Sequence, residues 1–314
     1  MELLQQIVQN VILGVVQGLT EFLPVSSSGH LTIAQHLMGM ADIEKSNLFL
    51  DVMLHLGTLF AVFVFYRKLI WRLIKAFGSM VKDIFTGKFS FKKMDNDRNL
   101  IVMLFVGLIP LFLLFIPIPG TGMKVKDYVE LFSDKKYFIV VGFCLLVTSL
   151  LLALGMFFSK RVSGRRFKGE ENSEYTGGGR TRYGVVDAIL VGITQAFATL
   201  PGISRSGSTL AVGQMRGINK QAALDYTFVL GIPAIIGAAV LQIKDVEFSA
   251  YSGTDIIAMA CGMISAAIVG YLAIKLFKWL LKTDKMIVFV IYTAVVGLFV
   301  VGVSIYEMVS GSFV

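Results

Sequence analysis

Six uninterrupted apolar runs, at residues 48–66, 99–116, 137–158, 222–241, 254–277 and 286–307, constrain this chain more than any other feature. Each is long enough to cross a hydrocarbon layer of about 30 Å as a helix. In lipid the backbone must satisfy its own hydrogen bonds, and for runs of this length only a helix does so within one segment. Composition agrees, with 55% of the 314 residues hydrophobic and 16% charged, against roughly 45–50% and 25% in soluble domains. The expected fold class is an all-α polytopic membrane protein, with residues 1–314 forming a single integral membrane domain.

The net charge of +8 does not point to nucleic acid, because the basic residues gather in short connections between apolar runs. Residues 67–98 carry nine Lys/Arg against three acids, residues 159–182 carry seven, and residues 275–285 carry four. The positive-inside rule makes these three loops cytoplasmic. Segments 39–47, 117–136 and 242–253, and the C-terminus, then face outside. Cys144 and Cys261 each lie within an apolar run, which gives neither a disulfide framework nor a metal spacing. The first apolar run follows Glu2, with no basic region before it and no small-residue cleavage site, and is not expected to be a signal peptide.

Two further apolar stretches, 3–38 and 184–216, are interrupted by proline. The second lies between Arg182 and Arg216, so both of its ends are expected on the cytoplasmic side and it should enter the membrane and return. Broken backbone at that depth is tolerated where it is buried in protein or lines a polar cavity. A shift of 178 positions lays Gly14 on Gly192, Gln17 on Gln195, Ser26 on Ser204, Ser28 on Ser206 and Gly29 on Gly207. The spans that follow the two stretches run in opposite directions, the pattern of an inverted-topology repeat. The expectation is six transmembrane helices plus two re-entrant hairpins, the first entering from outside, with the broken tips meeting near the midplane.

The tips are EFLPVSSSGHL (21–31) and TLPGISRSGSTL (199–210), and they carry ionisable groups where lipid-facing residues belong. Such residues mark functional sites. Arg205 offers a planar fork of donors suited to phosphate oxygens, with Ser204, Ser206, Ser208 and Thr209 as neutral donors beside it. Helix N-termini after each break would add partial positive charge. A plainer reading pairs Arg205 with Glu21 as a strut between the tips. His30, three residues from Ser27, can serve as acid or base. Ser27 falls opposite Arg205 in the repeat, within reach of a phosphate held there. Attack by His30 or by a metal-bound water would use the same residues. Gln17 and Glu21 share a helix face and suit a hard cation completed by water and phosphate oxygens. Asp51 and His55 form another polar pair in the next span, expected to line the cavity.

These residues resemble a known family. QGLTEFLPVSSSGH (17–30) is similar to the (E/Q)xxxE element, and the serine–histidine stretch after it, of the undecaprenyl-diphosphate phosphatases of the bacitracin-resistance type. PGISRSGST (201–209) resembles their PGxSRSxxT element. The resemblance covers nearly the whole chain. It implies removal of the terminal phosphate of undecaprenyl diphosphate, recycling the lipid carrier for cell-wall synthesis and conferring bacitracin resistance, at the bacterial plasma membrane. It also implies a divalent cation, Mg²⁺ or Ca²⁺. Glu21, Ser27, His30 and Arg205 would be catalytic, supported by Gln17, Ser26, Ser204, Ser206 and Thr209, with Glu21 and Gln17 toward the metal. Many members have Glu where this chain has Gln17, which weakens a two-carboxylate metal site. The expected partners are a polyprenyl diphosphate and the bilayer, with a homodimer allowed and no nucleic acid. The site is expected to open to the extracytoplasmic side. The competing function is a lipid or ion-coupled transporter, a flippase, since broken helices in inverted repeats suit alternating access. A serine esterase built on Ser27, His30 and Glu21 would leave Arg205 without a task.

Overall fold

Proline and polar residues set where the helices stop. Helix α1 (Glu2–Phe22) runs unbroken until Pro24, and α2 (Ser27–Leu37) restarts after Ser26. The residue before a proline is pushed out of the helical region, so the break falls at 23–26. Next come α3 (Glu44–Phe65), α4 (Arg67–Phe85) and α5 (Asn96–Leu108), which tightens into a 3₁₀ turn through Ile109–Phe115. They are followed by α6 (Val125–Leu131) and α7 (Phe138–Val162). The second half repeats the pattern with α8 (Val185–Phe197), α9 (Arg205–Met215), α10 (Lys220–Gln242), α11 (Gly253–Lys282) and α12 (Ile287–Ser310). This computed structural model describes residues 2–38, 44–91, 94–132, 137–162, 175 and 178–310.

Among the described residues every named element is helical, and seven helices are long and apolar enough to cross a membrane. The protein is an all-α polytopic membrane protein. Six of the seven cover the expected runs to within one residue at either end. The seventh is Leu3–Phe22, so the first broken stretch has one arm of spanning length and one of 11 residues. The arms of the second, α8 and α9, have 13 and 11 residues. The basic connection at 67–98 also differs from a plain loop, since it contains the 19-residue α4. Segment 39–43 and most of 163–177, both assigned to loops from the sequence, lie outside the described residues.

The two halves pack alike. α1 lies along α11 as α8 lies along α5; α3 touches α11 as α10 touches α5; α3 meets α10, and α7 meets α12. The closest approaches correspond as well. A Cβ on Gly14 would stand 2.3 Å from the Gly262 carbonyl oxygen, and one on Gly192 would stand 2.3 Å from that of Gly107. Small residues at both crossings let the backbones touch. Gly18 abuts Ala266 and Gly270, and from there α11 continues to Lys282, about 18 Å farther at 1.5 Å per residue. Thus α1 ends partway along its neighbour. Phe22, its last residue, packs edge-on to Phe228, which meets Phe277 in turn, and this buried aromatic cluster fixes the first break against α10 and α11.

Candidate active site

At the first break Ser26 adopts φ of +73°, a left-handed conformation that disfavours non-glycine residues. It is buried, and its hydroxyl accepts a hydrogen bond from the Gly29 amide at 3.4 Å. The turn aims Ser27, the first residue of α2, back at the last turn of α1. There the Ser27 hydroxyl donates to Glu21 Oε2 at 2.7 Å. The same oxygen accepts from Gln17 Nε2 at 3.1 Å, one turn earlier on α1.

At the second break the Ser204 side chain caps α9 by accepting from the Gly207 amide at 3.1 Å. Thr148 of α7 clamps the loop: its hydroxyl donates to the Gly202 carbonyl at 3.1 Å and accepts from the Ser204 amide at 2.9 Å. Arg205 then leaves the first turn of α9 and donates to Glu21 Oε1, while its other terminal nitrogen donates to the Gly231 carbonyl at 3.3 Å. A Cβ on Gly231 would stand 2.9 Å from that guanidinium, so glycine makes the room it needs. Ser206 ties the breaks together by donating to the Leu23 carbonyl at 3.2 Å.

Glu21 is therefore the hub, holding Arg205 on one oxygen and Ser27 and Gln17 on the other. Its side chain is 5% exposed, whereas Arg205 is 24% and His55 34% exposed. The guanidinium and the imidazole are thus more open than the carboxylate they flank. The strut between Glu21 and Arg205 expected as the plainer reading is present, and it coexists with the serine bond.

The other expected residues are placed differently. His30 does not turn to Ser27. Its Nδ1 donates to the Ser26 carbonyl at 2.8 Å, and its Nε2 meets the Tyr292 hydroxyl at 2.8 Å, with the two rings stacked. Ser204, Ser206 and Thr209 are buried, and their hydroxyls serve the protein itself; Thr209 donates to the Arg205 carbonyl at 2.7 Å. His55 lies closer to the hub than the sequence indicates, with Nε2 3.8 Å from Glu21 Oε2. Its Nδ1 donates to the Asp51 carbonyl at 2.7 Å, one turn back on α3, which fixes the ring. Thr148, Tyr292 and Gly231 complete the surroundings, and none stands out in the sequence.

No group of three or more His, Cys, Asp or Glu among the described residues could hold a metal. The buried Gln17 Oε1 has no hydrogen-bond partner, and it sits beside the Glu21 carboxylate. One carboxylate and one amide oxygen fit a hard cation that takes most of its ligands from substrate phosphates and water.

The family described as "Bacitracin resistance protein BacA" matches residues 10–299. A protein of Alkaliphilus metalliredigens named undecaprenyl-diphosphatase is 36% identical over 291 residues, covering 93% of this chain and 96% of the relative. Proteins of the same name from Methanosphaera stadtmanae and Methanobrevibacter smithii are 36% and 38% identical, covering 95% and 94% of this chain and 98% and 96% of the relatives. The match takes in both breaks, the hub glutamate and the arginine that meets it: this chain belongs to the BacA bacitracin resistance family.

Proposed function

We propose that this protein is an undecaprenyl-diphosphate phosphatase, which hydrolyses undecaprenyl diphosphate to undecaprenyl phosphate and phosphate. The product returns to cell-wall synthesis as the lipid carrier, and the same activity confers resistance to bacitracin. The observation that carries the mechanism is the shared carboxylate: Ser27 and Arg205 bind opposite oxygens of the buried Glu21. A serine needs a base within hydrogen-bond reach to act as a nucleophile, and Glu21 is the group bonded to it.

The terminal phosphate binds at the exposed side of the Arg205 guanidinium, whose planar fork offsets the charge of its oxygens. Ser27 Oγ attacks the terminal phosphorus as its proton passes to Glu21 Oε2. The bond from that phosphorus to the bridging oxygen breaks, and undecaprenyl phosphate leaves. Glu21 gives that proton to the departing undecaprenyl phosphate. Water then attacks the phosphoserine, giving a proton to Glu21, which passes it to Ser27 Oγ as the serine–phosphorus bond breaks and phosphate departs. Gln17 and Glu21 would hold a divalent cation, which supplies further neutralisation of the diphosphate charge. His30 holds the tip of α2 against α12 through Tyr292, and Ser204, Ser206 and Thr209 keep the second break rigid around Arg205.

The breaks at 23–26 and 198–204 are the tips of two re-entrant hairpins inserted from opposite sides, and the end of α1 partway along α11 supports this. The basic connections at 67–98 and 275–285 face the cytoplasm of a bacterial plasma membrane, and the site opens to the other side. A transporter would use the same repeat but would leave the Ser27–Glu21 bond without work. Phosphate release from undecaprenyl diphosphate by the purified protein tests the reading. It should be abolished in Glu21→Gln, and an unsubstituted protein that releases no phosphate while moving the lipid between leaflets would overturn it.

A further inference from the structure

Helix α4 belongs neither to the site nor to the spanning set. It begins one residue after α3 ends and is followed by the span that starts at Asn96, so it lies at the membrane surface. One of its faces packs on the protein. Leu73 and Met80 are buried against Ile101 and Val229, and Arg98 of α5 reaches Asp83 at 2.7 Å and Ser79 at 3.0 Å.

Two other faces are exposed among the described residues, bordered by the contact of Phe77 with Phe105 of α5, whose ring centres are 6.4 Å apart. Trp71, Ile74, Phe77, Ile84 and Phe85 are exposed along one side. Lys68, Lys75 and Lys82, also exposed, recur every seven residues. Residues seven apart on a helix fall within about 20° of each other, so the lysines form one row. That row runs beside the apolar stripe, with the Lys75 ammonium 5.3 Å from the centre of the Trp71 ring. The single acid of the helix, Asp83, is paired with Arg98, and Arg72 stands 3.4 Å from Asp97. The three lysines are left as the uncompensated charge of this face. An apolar stripe flanked by cations is the form of a helix lying in the plane of a membrane surface, with its apolar side toward the acyl chains.

We infer that α4 is a binding surface for anionic phospholipid headgroups, which the lysine row holds while Trp71, Ile74, Phe77 and Phe85 enter the acyl layer of the same leaflet. Each surface lysine contributes about fivefold to partitioning onto anionic lipid. A zwitterionic headgroup satisfies the apolar stripe but not the row of three charges.

The test uses the full-length protein with Trp279→Phe, which leaves Trp71 as the only tryptophan. It is reconstituted in vesicles containing brominated phosphatidylglycerol or brominated phosphatidylcholine at equal mole fraction. Phosphatidylglycerol should quench Trp71 with a relative binding constant at least tenfold higher. Raising salt from 0.05 to 0.5 M should reduce that preference, and Lys68→Gln, Lys75→Gln and Lys82→Gln together should bring it below about twofold. Phosphate release in detergent should be unchanged in the triple variant, which certifies its fold. If that variant is recovered unfolded, Lys75→Gln with the salt series answers the same question. Equal quenching by both lipids in the unsubstituted helix, or a preference that survives loss of the lysines, overturns the inference. So does the absence of quenching by either lipid together with elution as a dimer, which would give this face to a second copy of the chain.

Discussion

At the scale of single residues, Glu21 organises the site because, among the described residues, it is the buried carboxylate that both breaks reach. Arg205 divides its fork, one terminal nitrogen donating to Glu21 and the other to the Gly231 carbonyl, an arrangement that a point charge cannot reproduce. Arg205→Lys should therefore lose nearly as much activity as Arg205→Ala, on the order of 10²–10³ in kcat; near-normal turnover by the lysine variant would reduce Arg205 to a strut. Gly231→Ala pushes a methyl group against the guanidinium, which is flexible enough to give way. Its melting temperature should hardly change, while phosphate release should fall, by about 10² if the guanidinium moves by 1 Å. A variant with full activity would show that the position of Arg205 is not critical. Glu21, Ser27 and Arg205 were legible in the sequence because each sits in a short polar stretch inside an apolar run. The partners of His30 were not. Ser27 lies three residues away, but the ring turns to Tyr292, which is 262 positions distant and brought close only by helix packing. His55 was visible as a polar residue, yet its approach to Glu21 depends on how α3 lies against α1, which no local pattern encodes.

At the scale of helices, the repeat reads through the sequence as matching small and polar residues, and the structure gives those matches a mechanical meaning. Gly14 and Gly192 are the points where α1 meets α11 and α8 meets α5, each against a backbone carbonyl. A methyl group at either position meets a backbone that cannot yield as a flexible side chain does. Gly14→Ala and Gly192→Ala should each destabilise the protein by about 1–3 kcal/mol, the usual cost of overpacking. Thermal unfolding in detergent measures this, and loss at only one position would deny the correspondence of the two crossings. The extent of α1 was less legible, because Pro24 marks the break while nothing before it shortens the helix. In the sequence alone α4 reads as loop, because its lysines mask the apolar periodicity beneath them.

At the scale of the whole molecule, the protein sets two broken helices tip to tip inside a bundle of spanning helices, and the orientation of that bundle decides which side delivers the substrate. In a cysteine-free background, Ser252→Cys should react with an impermeant thiol reagent added to intact cells, and Ser90→Cys should react only after lysis. Equal labelling of both from outside would refute the orientation. Within that frame the central claim is that Ser27 attacks phosphorus with Glu21 as its base. The most direct measurement is to quench the enzyme in acid during turnover of undecaprenyl diphosphate labelled on its terminal phosphate, and to ask which residue carries the label. An acid-stable phosphoserine at position 27 is expected, absent in Ser27→Ala, whose turnover should fall by several orders of magnitude while the lipid diphosphate still binds. An acid-labile adduct on histidine, or a Ser27→Ala enzyme that turns over within about tenfold of the unsubstituted protein, would contradict it.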